Sequence, residues 1–277
     1  MKDNSEKQQL LYERYLNFHE ELLKVHLKNM QRMVAVVSFK KLSEIDVDKS
    51  INQGAAIITP ENVIIEEKDL ENIFDEVFPL LKKYYGQNPE INRFEDLYDK
   101  RKISLLHLIQ HIVCRDDDEW NRLSQNLKIS KKTLKKIAEY VSTPYLELCS
   151  EYLNNKINYD QWENSFCPIC GSYPRMAAVN EYLGFRVLWC HLCDTQWRFK
   201  QHVCPFCLND DLTKLKHIFP ADKSPNRIDA CDNCSRYLKI IDEQLITKQT
   251  NFVVDNVATY KLDLLALRSG YSKLNSK

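Results

Sequence analysis

The sequence lacks the features that would direct a protein to a membrane, to export or to nucleic acid. None of its 277 residues lie in an apolar run near the roughly 18 residues that a membrane span needs. The first 18 residues contain neither the apolar core of a secretory signal nor the arginine pair of a twin-arginine signal. Lys and Arg number 39, as do Asp and Glu, so the net charge is zero. We therefore expect a soluble cytoplasmic protein with no nucleic-acid partner and no membrane partner.

Familiar catalytic motifs are also missing. The sequence has no Gly-rich phosphate loop, no Gly-x-Ser-x-Gly elbow and no dinucleotide-binding fingerprint. His107, His111 and Cys114 have the spacing of one helical face, but Leu108 stands where a zinc-protease motif requires glutamate. Because the neighbouring residues are mostly apolar, this segment is predicted to be a core helix. We expect the protein not to be an enzyme.

Helical periodicity dominates the first part of the chain. Between Leu10 and Met33, apolar residues recur every three or four positions, which predicts an amphipathic helix. A second helix is predicted around residues 70–81, with Pro79 kinking or ending it. A third covers residues 134–141, after which Thr143 as N-cap and Pro144 at the first position predict a new helix. We predict that residues 1–164 form a helical domain.

The composition changes after Ser165 to cysteine, proline, aromatic and β-branched residues. Residues 175–179 and 185–189 are predicted to form one hairpin, and residues 215–219 and 227–230 a second pair of strands. Apolar residues between 253 and 267 indicate a closing helix. The predicted fold class is α+β, with residues 165–277 forming a metal-binding domain.

Eight of the ten cysteines occur in four Cys-x-x-Cys pairs. The pairs are Cys167/Cys170, Cys190/Cys193, Cys204/Cys207 and Cys231/Cys234. Two sulfurs at this spacing can point at one ion, and a second pair completes a tetrahedron. In a reducing compartment we therefore expect metal ligation rather than disulfides.

Spacing between the pairs favours sequential grouping. The first two pairs are separated by 19 residues and the last two by 23, enough for a hairpin, whereas only 10 residues separate the middle two. We therefore predict two tandem rubredoxin-like or zinc-ribbon modules. Cys167, Cys170, Cys190 and Cys193 would form the first site, and Cys204, Cys207, Cys231 and Cys234 the second. Crossed grouping of the pairs remains an alternative.

Two metal ions, iron or zinc, are the predicted cofactors, since sulfur-only sites suit either metal. A structural zinc site contributes about 10 to 16 kcal/mol in small peptides, comparable with the whole stability of a domain. Residues 164–240 contain ten Lys and Arg against seven Asp and Glu, a net charge of +3. Two divalent four-thiolate sites add about −4, giving about −1, which disfavours nucleic-acid binding.

The metal half resembles the family of the formate dehydrogenase accessory protein FdhE. The resemblance covers about residues 165–271 and rests on an ordered set of motifs. These are Cys167-Pro168-x-Cys170-Gly171-Ser172-x-Pro174, Gly184-x-Arg186-x-Leu188-x-Cys190-x-Leu192-Cys193-x-Thr195-x-Trp197, Cys231-Asp232-x-Cys234 with Tyr237-Leu238-Lys239-Ile240, and Asp255-x-x-Ala258-Thr259-x-x-Leu262-Asp263 with Gly270-Tyr271. Gln201 stands where the family has arginine, and Leu208 and Ser235 replace glycines expected after the third and fourth pairs.

The resemblance implies a cytoplasmic maturation factor that binds the catalytic subunit of a molybdenum- or tungsten-dependent formate dehydrogenase. A factor of this kind needs a rigid docking surface, and the aromatic residues near the cysteine pairs could either line that surface or pack around the sites. These are Tyr182, Phe185, Trp189 and Trp197. An iron-binding redox or iron-delivery protein is the alternative function, and a nucleic-acid-binding zinc ribbon is a weaker one.

Overall fold

The structure is a computed structural model that describes residues 2–35, 37, 39–114, 116–179, 184–220 and 224–272. The chain forms two compact units. One consists of Met1–Lys41 and Pro60–Leu148, and the other of Leu42–Thr59 and Cys149–Lys277. The sequence predicts that residues 1–164 and residues 165–277 are separate domains, each folding on its own. That division stays a prediction.

The N-terminal region is helical, as predicted. In chain order its helices are α1 (Lys2–Met33), α2 (Phe39–Ser43), α3 (Val47–Asn52), α4 (Glu67–Tyr85), α5 (Pro89–Asp99), α6 (Leu105–Cys114), α7 (Asp117–Leu127) and α8 (Lys131–Leu153). Helix α1 presents Phe18 and Leu22 to the interior at the predicted period. The predicted core character of α6 is also confirmed, since Leu105, Leu108 and Ile109 are buried.

Helix α4 does not end at Pro79 but continues to Tyr85, and a kink at Pro79 stays a prediction. The predicted new helix at Thr143 and Pro144 is wrong, because α8 runs unbroken through Pro144. The Thr143 hydroxyl does not cap a new helix but donates to Glu139 O one turn earlier, at 2.9 Å. Because proline has no N–H, Tyr140 O loses its usual helical donor.

That carbonyl finds another donor on α1. The Nε2 atom of buried His26 lies 2.9 Å from Tyr140 O, and a carbonyl can only accept, so Nε2 carries the proton. Burial lowers the pKa of His26 to about 4. The imidazole is therefore neutral near pH 7 and replaces the hydrogen bond that Pro144 cannot make.

The second unit is built on a mixed six-stranded sheet. Its strands are β1 (Met176–Val179), β2 (Phe185–Trp189), β3 (Gln196–Lys200), β4 (Leu215–Ile218), β5 (Asn226–Cys231) and β6 (Arg236–Asp242). Their order is β3-β2-β1-β6-β5-β4. The predicted hairpin of β1 and β2 and the predicted pairing of β4 with β5 are both confirmed. Strands β3 and β6 were not predicted.

The sheet consists of two similar antiparallel halves. Strands β1 to β3 form one and β4 to β6 the other, and within each half a Cys-x-x-Cys turn precedes the first strand and another connects the second strand to the third. The halves are joined by parallel pairing of β1 with β6, in which Met176 lies opposite Lys239. The two predicted modules therefore share one continuous sheet.

The predicted closing helix is two helices, α9 (Phe252–Ala258) and α10 (Tyr260–Arg268). Thr259 separates them, and its hydroxyl donates to Asp255 O at 2.6 Å. Near this break the buried Lys239 ammonium donates to Asn256 O at 2.6 Å and lies 3.4 Å from the Asp263 carboxylate. Burial lowers the pKa of Lys239 to about 8, against the opposing effect of Asp263. These polar contacts fix the closing helices to β6.

Apolar contacts join the same helices to the sheet. Phe252 of α9 packs with Met176, Trp189 and Ile241, and its ring stacks on that of Trp189 at a centroid distance of 5.7 Å. The α10 residues Leu262 and Ala266 pack with Ile228, Ala230 and Tyr237. Among the described residues, no helix is long and apolar enough to cross a membrane.

Candidate metal centres

All four Cys-x-x-Cys segments form tight turns stabilised by backbone hydrogen bonds. In the first, the Cys167 N–H donates to Ser172 O at 2.8 Å and the Gly171 N–H donates to Cys167 O at 2.9 Å. The third segment repeats this pattern, with bonds from Cys204 to Asn209 O and from Leu208 to Cys204 O. Such turns place two sulfurs on one side of the backbone.

A left-handed residue follows the second cysteine of every pair. These residues are Gly171, Asp194, Leu208 and Ser235, with φ values of 74°, 57°, 59° and 56°. Aspartate tolerates this conformation, and the Asp194 carboxylate also accepts a hydrogen bond from Trp189 Nε1 at 2.5 Å. Leucine is unusual there, because its Cβ crowds the following carbonyl. The second site thus retains the turn geometry without the glycines that the resemblance led us to expect.

The cysteine groups are those predicted by sequential pairing, not by crossed pairing. Cys167, Cys170, Cys190 and Cys193 form one group, the first centre, and Cys204, Cys207, Cys231 and Cys234 form the other, the second centre. Within each group the sulfurs lie within 4.8 Å of one another. All ten cysteines are free of disulfides. That each group holds an ion stays a prediction.

The spacing of the sulfurs suits a tetrahedral metal ion. Sulfurs of the first centre approach to 3.4 and 3.5 Å, and those of the second to 3.7 Å. A tetrahedron with metal–sulfur bonds of about 2.3 Å has edges of about 3.8 Å. The four sulfur donors and their spacing therefore fit zinc or a single iron ion. In both centres the sulfurs are too far apart to form disulfides.

The first centre is sealed from solvent. Its four cysteines are each 0% exposed. The Thr195 Oγ1 atom lies 3.0 Å from Cys193 Sγ and 2.9 Å from the Ser150 hydroxyl. Because a thiolate can only accept, metal-bound Cys193 would receive a hydrogen bond from Thr195, and Thr195 one from Ser150. These buried hydroxyls orient and stabilise the sulfur.

A segment from early in the chain covers the same centre. The N–H groups of Ile57 and Ile58 donate to Pro168 O and Ile169 O, each at 2.8 Å, and both isoleucines are fully buried. The two acceptors lie between the ligands Cys167 and Cys170. The first centre is therefore held by backbone pairing from outside the cysteine motifs.

The second centre is more open. Cys204 and Cys231 are buried, whereas Cys207 and Cys234 are partly exposed. The Asn233 side-chain amide donates to Cys207 Sγ at 3.4 Å. A cavity of about 300 Å³ lies beside this centre, and its lining includes Cys204, Cys231, Arg186, Leu212 and Lys216.

The thiols would not all ionise without a cation. In the first centre burial raises the pKa of Cys170, Cys190 and Cys193, while hydrogen bonds from the neighbouring thiols overcome burial and lower the pKa of Cys167. In the second centre burial raises the pKa of Cys204. A bound divalent ion would supply the positive charge that allows four thiolates to share so small a volume.

The structure also identifies residues that the sequence did not. Ser150 and Thr195 support the first centre, and Asn233 contacts the second. Thr195 and Asn233 lie within three residues of a cysteine ligand, which is a usable signal, but Ser150 carries none. Of the aromatic residues considered for docking, Trp189 and Trp197 are buried, so they pack rather than form a surface. Phe185 is partly buried, and Tyr182 lies outside the described residues.

His107, His111 and Cys114 on α6 are predicted from the sequence to be part of a core helix, and within the described residues they do not form a group that could hold a metal ion. His107 and His111 have ring centroids 5.4 Å apart, and Cys114 is exposed. Within the part of the chain that the structure describes, the two cysteine groups are the only sets of three or more His, Cys, Asp or Glu residues close enough to share an ion.

Comparisons with known proteins agree with this architecture. Residues 166–201 match the family model described as FdhE, central domain, and residues 204–277 match the one described as FdhE, C-terminal domain. A "Protein FdhE homolog" of Aquifex aeolicus is 24% identical over 270 residues, covering 94% of this chain and 86% of that protein. The "Protein FdhE" of Escherichia coli is 33% identical over 115 residues, covering 40% of this chain and 36% of that protein.

A solved structure has the same fold. The crystal structure of the FdhE protein from Pseudomonas aeruginosa superposes with a TM-score of 0.55 at 15% sequence identity, covering 95% of this chain and 94% of that one. The similarity therefore extends over both the helical region and the metal-binding half.

Proposed function

We propose, since this chain belongs to the FdhE family, that it is a maturation factor that binds the catalytic subunit of a formate dehydrogenase in the cytoplasm. The observation that carries the proposal is the match of residues 166–201 and 204–277 to the two FdhE family models, in a part of the chain where eight cysteines form two four-cysteine groups. The two centres would act structurally, each fixing a three-stranded half of the sheet.

A rigid sheet suits recognition of a partner. Loops and hairpins too small to hold a core can be fixed by metal ions, so a docking surface need not be ordered at the moment of binding. This reduces the entropic cost of association. It supports a binding role better than one that requires a mobile active site.

The docking surface in this proposal is the area around the cavity beside the second centre. Leu212 lines that cavity with its side chain 63% exposed, and the cavity also includes Phe206, Lys216 and Arg236. An exposed leucine flanked by cations is typical of a protein-binding surface, and here it favours a partner segment with apolar and acidic residues.

Complementation tests the proposal. A strain without this gene should lose formate dehydrogenase activity and regain it with the wild-type gene, and the purified protein should bind the catalytic subunit. Leu212→Glu should weaken that binding. Leu267→Glu, at an exposed leucine of α10, is the matched control and should bind normally. If Leu212→Glu binds the catalytic subunit normally, the docking surface lies elsewhere on the protein. If the deletion strain keeps its formate dehydrogenase activity and the wild-type protein does not bind the catalytic subunit, the proposed function is refuted.

Iron delivery is a second candidate, favoured by the partial exposure of Cys207 and Cys234. It predicts that iron initially bound to this protein appears in the matured enzyme. Isotopically labelled iron in the purified factor can test this. A factor that contains only zinc and restores full activity would exclude iron delivery.

A further inference from the structure

We propose that the second centre exchanges its ion with external thiol ligands, with Cys207 and Cys234 as the thiolates released first, while the first centre retains its ion. The inference concerns the chain's own cysteines and does not rest on the proposed partner. It requires no oxidant or reductant, because each competing thiol loses the proton that a released cysteine takes up.

Exposure of the ligands is the first reason. A competing sulfur must come within about 2.3 Å of the ion before it can replace a cysteine. In the first centre every cysteine is 0% exposed, so no external ligand reaches the sulfurs without local opening of the chain. In the second centre Cys207 and Cys234 are partly exposed in the folded state. External ligands can therefore approach this centre directly.

The chain surrounding each centre is the second reason. Opening the first centre would break the backbone bonds that Ile57 and Ile58 donate beside Cys167 and Cys170, as well as the hydroxyl contacts of Thr195. These bonds are buried and must break together. Beside the second centre lies the 300 Å³ cavity, lined in part by Cys204 and Cys231, so its two buried ligands also border open space.

Local opening makes exchange at the first centre slow. When exchange requires a rarely populated open state, its rate is proportional to the fraction of molecules in that state. Exchange at an exposed ligand needs no opening and is not slowed in this way. We therefore expect the two ions to leave in separate phases, with rates that differ by at least about tenfold.

Timed metal transfer tests this inference. The full chain, loaded with two zinc ions, is mixed with excess 2,3-dimercaptopropanesulfonate, and zinc loss is followed alongside iodoacetamide labelling read by peptide mass spectrometry. Half of the zinc should leave in a fast phase whose rate rises with dithiol concentration. Among the eight cysteines of the two centres, label should appear first at Cys207 and Cys234, while the cysteines of the first centre stay protected; exposed Cys114, which belongs to neither centre, is labelled from the start. Equal rates for both ions, early label in the first centre, or a fast phase independent of dithiol would overturn the proposal.

Two variants assign the phases. Cys207→Ser should remove the fast phase and leave one slowly released ion, with protection of the first centre showing that the fold persists. Cys114→Ser alters an exposed cysteine of α6 that belongs to neither centre and should leave both phases unchanged. A fast phase of unchanged size in Cys207→Ser would show that it does not come from the second centre.

Discussion

Leu208 combines a strained backbone with an exposed side chain, so replacing it with glycine should stabilise the second centre. Its φ of 59° places it in the left-handed region, and its side chain is 63% exposed. Its N–H donates to Cys204 O, which closes the turn that holds two ligands. The Leu208→Gly variant keeps this hydrogen bond and sacrifices little apolar packing.

Two opposing effects determine the size of the gain. An L-residue in the left-handed region costs about 1 to 2 kcal/mol, which glycine avoids. Glycine has greater freedom in the unfolded chain, which costs about 0.5 to 1 kcal/mol. We expect a net gain of about 0.5 to 1 kcal/mol, because strain relief exceeds the entropic loss. Since the turn forms around the ion, this corresponds to about two- to fivefold tighter metal binding at the second centre.

Leu212 supplies the matched control. It is also 63% exposed, but it is not among the described residues with positive φ. Leu212→Gly relieves no strain and should weaken binding through an entropic cost of about 0.5 to 1 kcal/mol. Competition with a chelator of known affinity, read at equilibrium, measures both variants. If Leu208→Gly binds no more tightly than wild type, or behaves like Leu212→Gly, the strain argument is incorrect.

Three further predictions concern the supporting contacts. Thr195→Val removes the hydroxyl beside Cys193 and should weaken metal binding at the first centre about 10- to 100-fold in chelator competition, and an unchanged affinity would exclude a stabilising role for that hydroxyl. Removing both ions under reducing conditions should unfold the sheet, because the centres contribute about 10 to 16 kcal/mol in comparable peptides, and fluorescence from the buried Trp189 and Trp197 should shift to the red. The pKa of His26 is about 4 in the folded state and 6.5 in the unfolded state. As the pH is lowered from about 7 to about 4, the unfolded state takes up a proton that the folded state does not, so the free energy of unfolding should fall by about 3 kcal/mol. Urea unfolding should show a smaller loss for His26→Gln, and equal losses would contradict the assignment.

Local sequence was sufficient to predict the two four-cysteine groups and two strand pairs. Cys-x-x-Cys spacing fixes how two sulfurs face one ion, and a connection of 19 or 23 residues can hold a hairpin. Strand β3 alternates exposed and buried residues along Gln196–Lys200, a usable signal that was missed. Strand β6 gives no such alternation, because five consecutive residues from Tyr237 to Ile241 are buried. A central strand covered on both faces loses the period that marks an edge strand.

The incorrect helix boundaries have a different origin. Pro144 carries the signal of a helix start, but a distant imidazole satisfies the carbonyl that proline leaves without a donor. Thr259 separates α9 from α10, although its hydroxyl donates to a carbonyl one turn earlier just as the Thr143 hydroxyl does inside the unbroken helix α8. Neither the continuation of α8 nor the break at Thr259 is encoded in residue periodicity. Sequence patterns therefore located these helices but not their ends.

The two centres use the same local unit and differ in what surrounds it. Each unit is a cysteine turn, two strands, a second cysteine turn and a third strand, so the sequence motif alone predicts equivalent sites. Only the first centre receives Ile57 and Ile58 from residues far earlier in the chain, and only there are all four sulfurs fully buried within the described residues. Which cysteines form a group is thus set by the local sequence motifs, whereas solvent access to each group is set by distant segments. Because exchange depends on access, duplicated metal motifs in one chain can support one permanent ion and one replaceable ion.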